Sequence, residues 1–301
     1  MSVLVAAALD AGLEEPPVAL HPVVWSGRYL EAAARRVPAE PRGRAIALGG
    51  AAWTAGAVVA VAAALAVDRV AGALGRVGGL AVRGAALWPL LSARMLLREV
   101  AAVEAALDRD LDEGRAALAR VVSRDTAGLD AAQVRAAAIE SLAENLSDSV
   151  VAPLAWYLAA GLPGAALHRF ANTADACWGY RTPRWRYAGR VAARADDLLN
   201  LVPARLTAAL LVGAPSRAGR GRLRREARRT DSPNAGWPMA ALALRLDLRL
   251  AKPGHYVLHP AGAEPAPGDV HRAVRRVRTA VLAAAAAATV IDLIRHRGDR
   301  P

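Results

Sequence analysis

From Ala45 to Val67 the chain carries no charged residue for about 23 positions, nearly all of them Ala, Val, Leu and Gly. As a helix that length crosses a hydrocarbon core of roughly 30 Å. Such a stretch argues against an ordinary surface helix, which sets a charged face against an apolar stripe. A buried helix of a soluble bundle is the alternative, and interior helices seldom run so far uncharged. A second uncharged stretch, Ser149 to Leu167, is interrupted by Pro153 and by Gly161, Pro163 and Gly164, which predicts a kinked or re-entrant segment. Shorter apolar runs at Gly84 to Ala93, Leu206 to Pro215 and Thr279 to Ile291 reach a full span only if flanking arginines snorkel. Four or five membrane helices are expected.

Charge supports the same class. The 301 residues carry a formal net charge of +12, almost all from arginine, with Lys252 the only lysine. Interleaved with apolar runs, that charge suits an anionic membrane surface or phosphorylated substrates. The densest basic loop holds Arg217, Arg220, Arg222, Arg224, Arg225, Arg228 and Arg229, and the positive-inside bias turns it to the cytoplasm. No aromatic lies between Arg205 and Trp237 to stack on bases, so nucleic acid is not an expected partner. Cys177 stands alone, which excludes an internal disulfide. Met1 to Asp10 lacks a basic residue before its apolar run and does not read as a signal peptide.

Met95 to Ala119 shows the three- and four-residue spacing of one amphipathic cytoplasmic helix. Arg124-Asp-Thr126-Ala-Gly128 breaks it, and Asp130 is placed to cap the next. Alternating strand signals are almost absent. The expected fold is all-α: a polytopic integral membrane helical bundle, one embedded domain over 1–301, with cytoplasmic helical and loop parts at about 95–148 and 168–238.

Three carboxylates follow the break. Glu140, Glu144 and Asp148 are spaced four apart, so a regular α-helix stacks them on one face at the lip of the second apolar stretch. Three acids there need a cation or a basic partner. Asn172 and Asp175 lie three apart before Trp178-Gly-Tyr180-Arg181, residues that read equally as a glycine-capped helix end. Asp196 and Asn200 share a helix face, with Asp197 beside them; they offer Mg²⁺ hard oxygen ligands, or are solvated acids paired with Arg194. Ser232 before Pro233 reads as an N-cap whose free backbone N–H groups hold an anion, or as an ordinary turn. His21 is a lone candidate in a proline-rich extended stretch. His255 and His259 are separated from a common helix by Pro253-Gly254 and Pro260 and make no zinc pair. Walker-type phosphate loops, Gly-x-Ser-x-Gly elbows and Cys-x-x-Cys motifs are missing.

Taken in order, these groups resemble the CobD/CbiB family of cobalamin biosynthesis, the membrane-bound adenosylcobinamide-phosphate synthases. The resemblance runs from Pro16-Pro17 and His21-Pro22 to the final apolar segment. It is carried most specifically by Arg124-Asp-Thr126, Glu140-Ser-Leu-Ala-Glu144-Asn145 with Ser147-Asp148, Val151-Ala-Pro153 and Asn172-Thr-Ala-Asp175. Gly179-Tyr180-Arg181, Asp196-Asp197-Leu-Leu-Asn200 with Pro203-Ala-Arg205, and Ser232-Pro-Asn234-Ala-Gly236 complete it. The chain departs from the family pattern at Leu13-Glu14-Glu15, Leu146 and Ser149, and none of these removes an acid from the triplet.

The resemblance implies an amide-forming C–N ligase that joins aminopropanol, or its O-phosphate, to a propionate carboxylate of adenosylcobyric acid, with ATP as co-substrate and Mg²⁺. On that basis Glu140, Glu144, Asp148, Asp196 and Asp197 are expected to hold Mg²⁺ on the nucleotide phosphates. Glu140, Glu144 and Asp175 are the expected catalytic carboxylates, Asp175 taking the ammonium proton. Arg124, Arg181 and Arg205 are expected to grip phosphate or carboxylate, and Asn145, Asn172, Tyr180, Ser232, Asn234 and His21 to line the substrates. Trp156, Tyr157 and Trp178 are expected to receive the corrinoid. The implied setting is multi-pass in the cell membrane with a cytoplasmic active face, in contact with the bilayer and with other corrinoid-pathway enzymes. Two rival readings are a small transporter using the acids as a cation pathway and a scaffold that binds corrinoid enzymes without turnover.

Overall fold

A computed structural model describes residues 1–13, 15–213 and 216–298. In chain order the helices are α1 Ser2–Gly12, α2 Pro22–Ala34, α3 Arg42–Ala73, α4 Gly75–Leu87, α5 Ala93–Leu107, α6 Leu111–Leu118 and α7 Ala131–Leu146. After a π-helical turn, Ser147–Val151, come α8 Ala152–Trp178, α9 Arg190–Leu199, α10 Leu201–Val212, α11 Arg217–Ala227, α12 Gly236–Leu246 and α13 Asp269–Gly298. Among the described residues four stretches are long and apolar enough to cross a membrane: Arg42–Ala73, Gly75–Leu107, Ala131–Trp178 and Asp269–Arg295. The all-α polytopic class is therefore as expected. The chain groups into two compact units.

The first unit comprises Met1–Ser92, Ala152–Asn200 and the chain from Ala285 onward. The uncharged stretch forms α3, which packs on α8 and α9. At Gly56 a Cβ would strike the rings of Tyr29 and Phe170, so glycine lets these helices close together. Phe170 then lies 6.3 Å from Tyr29 and 6.2 Å from Trp53, at the centre of a core with Leu30, Ala174 and Trp178. The expected kink in α8 falls at Ala160 and Gly161, where Gly161 takes a φ of 67° that glycine alone adopts readily.

The second unit comprises Ala93–Val151 and Leu201–Ala284, and α7 is its buried centre, packed by α5, α6, α12 and the strand β1 Leu250–Lys252. Asp130 starts α7 as expected, accepting from Gln133 N–H at 2.8 Å while the Gln133 side chain accepts from Asp130 N–H at 3.0 Å. A buried pair, Arg135 Nε to Glu104 Oε1 at 3.0 Å, ties α7 to α5, and Gly268 N–H donates to the same carboxylate at 2.8 Å.

Several expectations change here. Met95 to Ala119 is two helices, because Asp110 accepts from Asp112 N–H at 2.8 Å and Glu113 N–H at 3.3 Å and so starts a new one. The basic loop is largely the helix α11, begun where Ser216 Oγ accepts from Gly219 N–H at 3.2 Å. β1 pairs antiparallel with β2 Tyr256–Leu258, a hairpin the sequence did not suggest. Glu14, and Ala214 with Pro215 at the end of the Leu206 to Pro215 run, lie outside the described residues.

Candidate active site

The acids of the second unit ride on a helix that packing draws inward. From Val134 to Val151 only Glu144, Asn145 and Asp148 reach solvent; all other residues of that stretch are buried. Glu140 itself is 4% exposed, and Arg124 Nη2 donates to its Oε2 at 3.0 Å. Its other oxygen, Oε1, is buried and has no hydrogen-bond partner. Arg124 comes from the loop after α6, a loop pinned where Thr126 Oγ1 donates to the Arg115 carbonyl at 3.2 Å. Glu140 and Glu144 keep the predicted one-face spacing. Asp148 falls within the π-helical turn, whose i→i+5 bonding interrupts the four-residue repeat before it. Asn145 spends its amide nitrogen on its own helix, donating to the Ser141 carbonyl at 2.9 Å.

Tyr256, which the sequence analysis did not single out, stands beside these acids. Burial, then the charges of Glu140 and Glu144, push its phenol well above the ordinary tyrosine range, so it stays a proton donor at neutral pH. Lys252 is its cross-strand neighbour. Under the hairpin lies a cavity of about 520 Å³ lined by Asp130, Gln133, Arg249, Lys252, His255 and Tyr256. Strands of three residues are too short to show alternation, so the sequence carries no signal for them.

In the first unit, α8 and α9 bring a second acidic group together. Asp196 Oδ1 accepts from Asn200 Nδ2 at 3.0 Å and, more weakly, from Asn172 Nδ2 at 3.4 Å. Asn200 Oδ1 in turn meets His168 Nε2 at 3.0 Å, giving a chain from the buried His168 and Asn200 to the half-buried Asp196. His168 was missed because a lone histidine in an apolar run carries no pattern. Burial, and then the negative charge of Asp175, push Asp196 up to about 7. Burial also raises Asp197, with Arg194 and Arg181 pulling it back. A Cβ at Gly179 would collide with the Asp175 carboxylate, so glycine is required where the predicted Gly179-Tyr180-Arg181 group stands. Tyr180 is exposed.

Other predicted residues have structural duties. His21 caps α2, its Nδ1 accepting from Val23 N–H at 3.2 Å while Nε2 meets Glu15 at 2.8 Å. Ser232 Oγ accepts from the N–H groups of Asn234 at 3.2 Å and Ala235 at 3.1 Å, and α12 begins only at Gly236. Those two N–H groups, expected to face an anion, are thus satisfied internally. Arg205 donates to Asn234 Oδ1 at 3.1 Å and to the Pro233 carbonyl at 3.3 Å, and lies 4.7 Å over the Trp237 ring. Trp178 is 1% exposed and stacked on Trp185, and Tyr157 is buried, so neither offers a face to a macrocycle; Trp156 is half-buried. The apolar cavity of the first unit, about 380 Å³, is lined instead by Trp25, Tyr29, Val59, Ala63, Leu162 and Phe170.

Among the described residues no group of three or more His, Cys, Asp or Glu side chains forms a metal cage. Mg²⁺ asks for less: one or two carboxylates, completed by phosphate oxygens and water. The orphaned Oε1 of Glu140 near Glu144, and Asp196 crowded by Asp175, each fit that demand.

The model of the CobD/CbiB protein family matches residues 3–285. A protein of Methanothermobacter thermautotrophicus named "Probable cobalamin biosynthesis protein CobD" is 40% identical, covering 85% of each chain. The "Cobalamin biosynthesis protein CobD" of Rhodobacter capsulatus is 42% identical over 67% of this chain and 68% of its own. A "Probable cobalamin biosynthesis protein CobD" of Methanothrix thermoacetophila is 37% identical over 98% of both. No solved structure matches. The chain belongs to the CobD/CbiB family.

Proposed function

We propose that the protein forms an amide between a propionate carboxylate of adenosylcobyric acid and the amine of aminopropanol or its O-phosphate, driven by ATP. The observation that carries this reading is the stretch from Val134 to Val151, the buried part of α7 and the π-helical turn after it, which admits solvent only at Glu144, Asn145 and Asp148, next to the buried Glu140. Burying a carboxylate costs several kcal/mol even after relaxation, so an apolar core has no packing reason to keep acids there.

A carboxylate and an alkylammonium do not condense unaided in water. The carboxylate oxygen first takes the γ-phosphoryl group of ATP, releasing ADP. The amine nitrogen then bonds to the acyl carbon, phosphate leaves, and the ammonium proton passes to a protein carboxylate, assigned to Asp175. Glu140, Glu144 and Asp148 in one unit, and Asp196 and Asp197 in the other, are the carboxylates able to hold Mg²⁺, which when bound offsets charge on the phosphates. Arg124, Arg181 and Arg205 supply forked donors for phosphate or carboxylate. The reacting groups face the cytoplasm, on the side the arginine-rich α11 favours.

The test is direct. Detergent-purified protein receives adenosylcobyric acid, aminopropanol phosphate and MgATP, and the products are read by mass. The expected result is a new amide formed with one ADP per bond. A protein that binds corrinoid yet yields no amide would return the case to a transporter or scaffold.

A further inference from the structure

In the second unit the end of α11, the turn before α12 and Arg205 of α10 enclose a cavity of about 560 Å³ lined by Arg205, Arg224, Arg228, Thr230, Ser232 and Trp237, with Asp231 the one acid on its wall. Arg205 is fixed by Asn234, by the Leu201 and Pro233 carbonyls and by the Trp237 face, which leaves its Nε–H and one Nη2–H free to donate. Arg224 and Arg228 are exposed and make no ion pair among the described residues, whereas their neighbour Arg229 pairs with Glu226 at 2.8 Å. Ser232 Oγ accepts two backbone N–H groups, which leaves its own O–H to donate outward. Gly236 is required here: a Cβ would strike the Ala227 carbonyl and Thr230, so the turn can fold tightly against the end of α11 only with glycine.

Three guanidiniums set against one carboxylate, beside a hydroxyl donor and an aromatic wall, make a concentrated field for a dianion. We infer that this cavity is a binding site for a phosphate group, with Arg224 and Arg228 as the principal charge partners and Arg205 as the fixed one. The inference extends the reading above by adding Arg224, Arg228 and the Ser232 hydroxyl to the site of Arg205, and it stands or falls on binding rather than on turnover. Two sources present the same chemistry. A soluble phosphate ester would enter from water. A phospholipid headgroup would enter from the bilayer, its acyl chains lying along Leu201, Val202 and Leu206, which α10 leaves exposed beside Arg205.

The full chain in detergent is titrated with inorganic phosphate against chloride at constant ionic strength, by calorimetry. It is also placed in phosphatidylcholine vesicles with and without phosphatidylglycerol, and the phosphate titration is repeated. Arg224→Gln with Arg228→Gln is the variant, since both side chains are exposed and their loss leaves folding intact; unchanged thermal unfolding checks this. The expected result is one saturable phosphate per chain, weakened tenfold or more in the double variant. Phosphate binding that persists beside phosphatidylglycerol assigns the site to a soluble ester, and competition by that lipid assigns it to a headgroup. Absence of saturable phosphate and of any lipid preference, or a double variant equal to the wild type in both arms, overturns the inference. Loss of amide formation with phosphate binding intact would sink only the reaction proposed above.

Discussion

Glu140 is buried against a guanidinium, with a phenol nearby, whereas Asp196 is half-buried against two amides with two further carboxylates in its field. The first arrangement supplies its own counter-charge. The second leaves negative charge crowded on negative charge, relieved by a proton at low pH or by an arriving cation at higher pH. The two acidic groups therefore differ in how their surroundings respond to loss of an acid, to pH and to metal.

The largest expected contrast is at Glu140. Glu140→Gln removes a carboxylate from the chemistry and strands Arg124, so amide formation falls roughly 10³-fold and stability falls by about 3 kcal/mol. Product mass and a denaturation curve in detergent check the two losses; a variant of wild-type stability would show that Arg124 does not depend on Glu140.

The next effect is a pH dependence in the first unit. Asp196 is raised to about 7, above its unfolded value, so between roughly pH 4 and 7 the folded chain binds the extra proton. Stability from this group accordingly falls as pH rises through that window and is flat above it. Cation binding follows the opposite course: Mg²⁺ affinity at this group weakens about tenfold for each pH unit below about 7. Asp196→Asn flattens both profiles, and a slope that survives the change would place the titrating group elsewhere. The smallest effect belongs to Tyr256. Tyr256→Phe removes a donor beside Glu140 and Glu144 and lowers turnover roughly tenfold, with membrane insertion unchanged.

Most of the fold was legible because its signals are local. The uncharged run predicts α3, Asp130 predicts the start of α7, and the glycines near Pro163 predict the bend at Gly161. What was hidden depends on tertiary partners. Asp148 shifts because a π-helical turn, not an α-helical one, links α7 to α8. Tyr256 and His168 acquire meaning only from what packs against them, Glu140 and Glu144 in one case and Asn200 in the other. Ser232 looks like an anion seat by its spacing, yet its hydroxyl accepts the very N–H groups that spacing would leave open.

Glu144 separates chemistry from packing most cleanly, because unlike Glu140 it reaches solvent. The decisive measurement is mass-detected amide formation by Glu144→Gln beside the wild type, in vesicles where insertion of both is scored. The account predicts equal insertion with no amide above background from the variant. Normal turnover by Glu144→Gln would remove this residue, and with it the acidic face of α7, from the reaction.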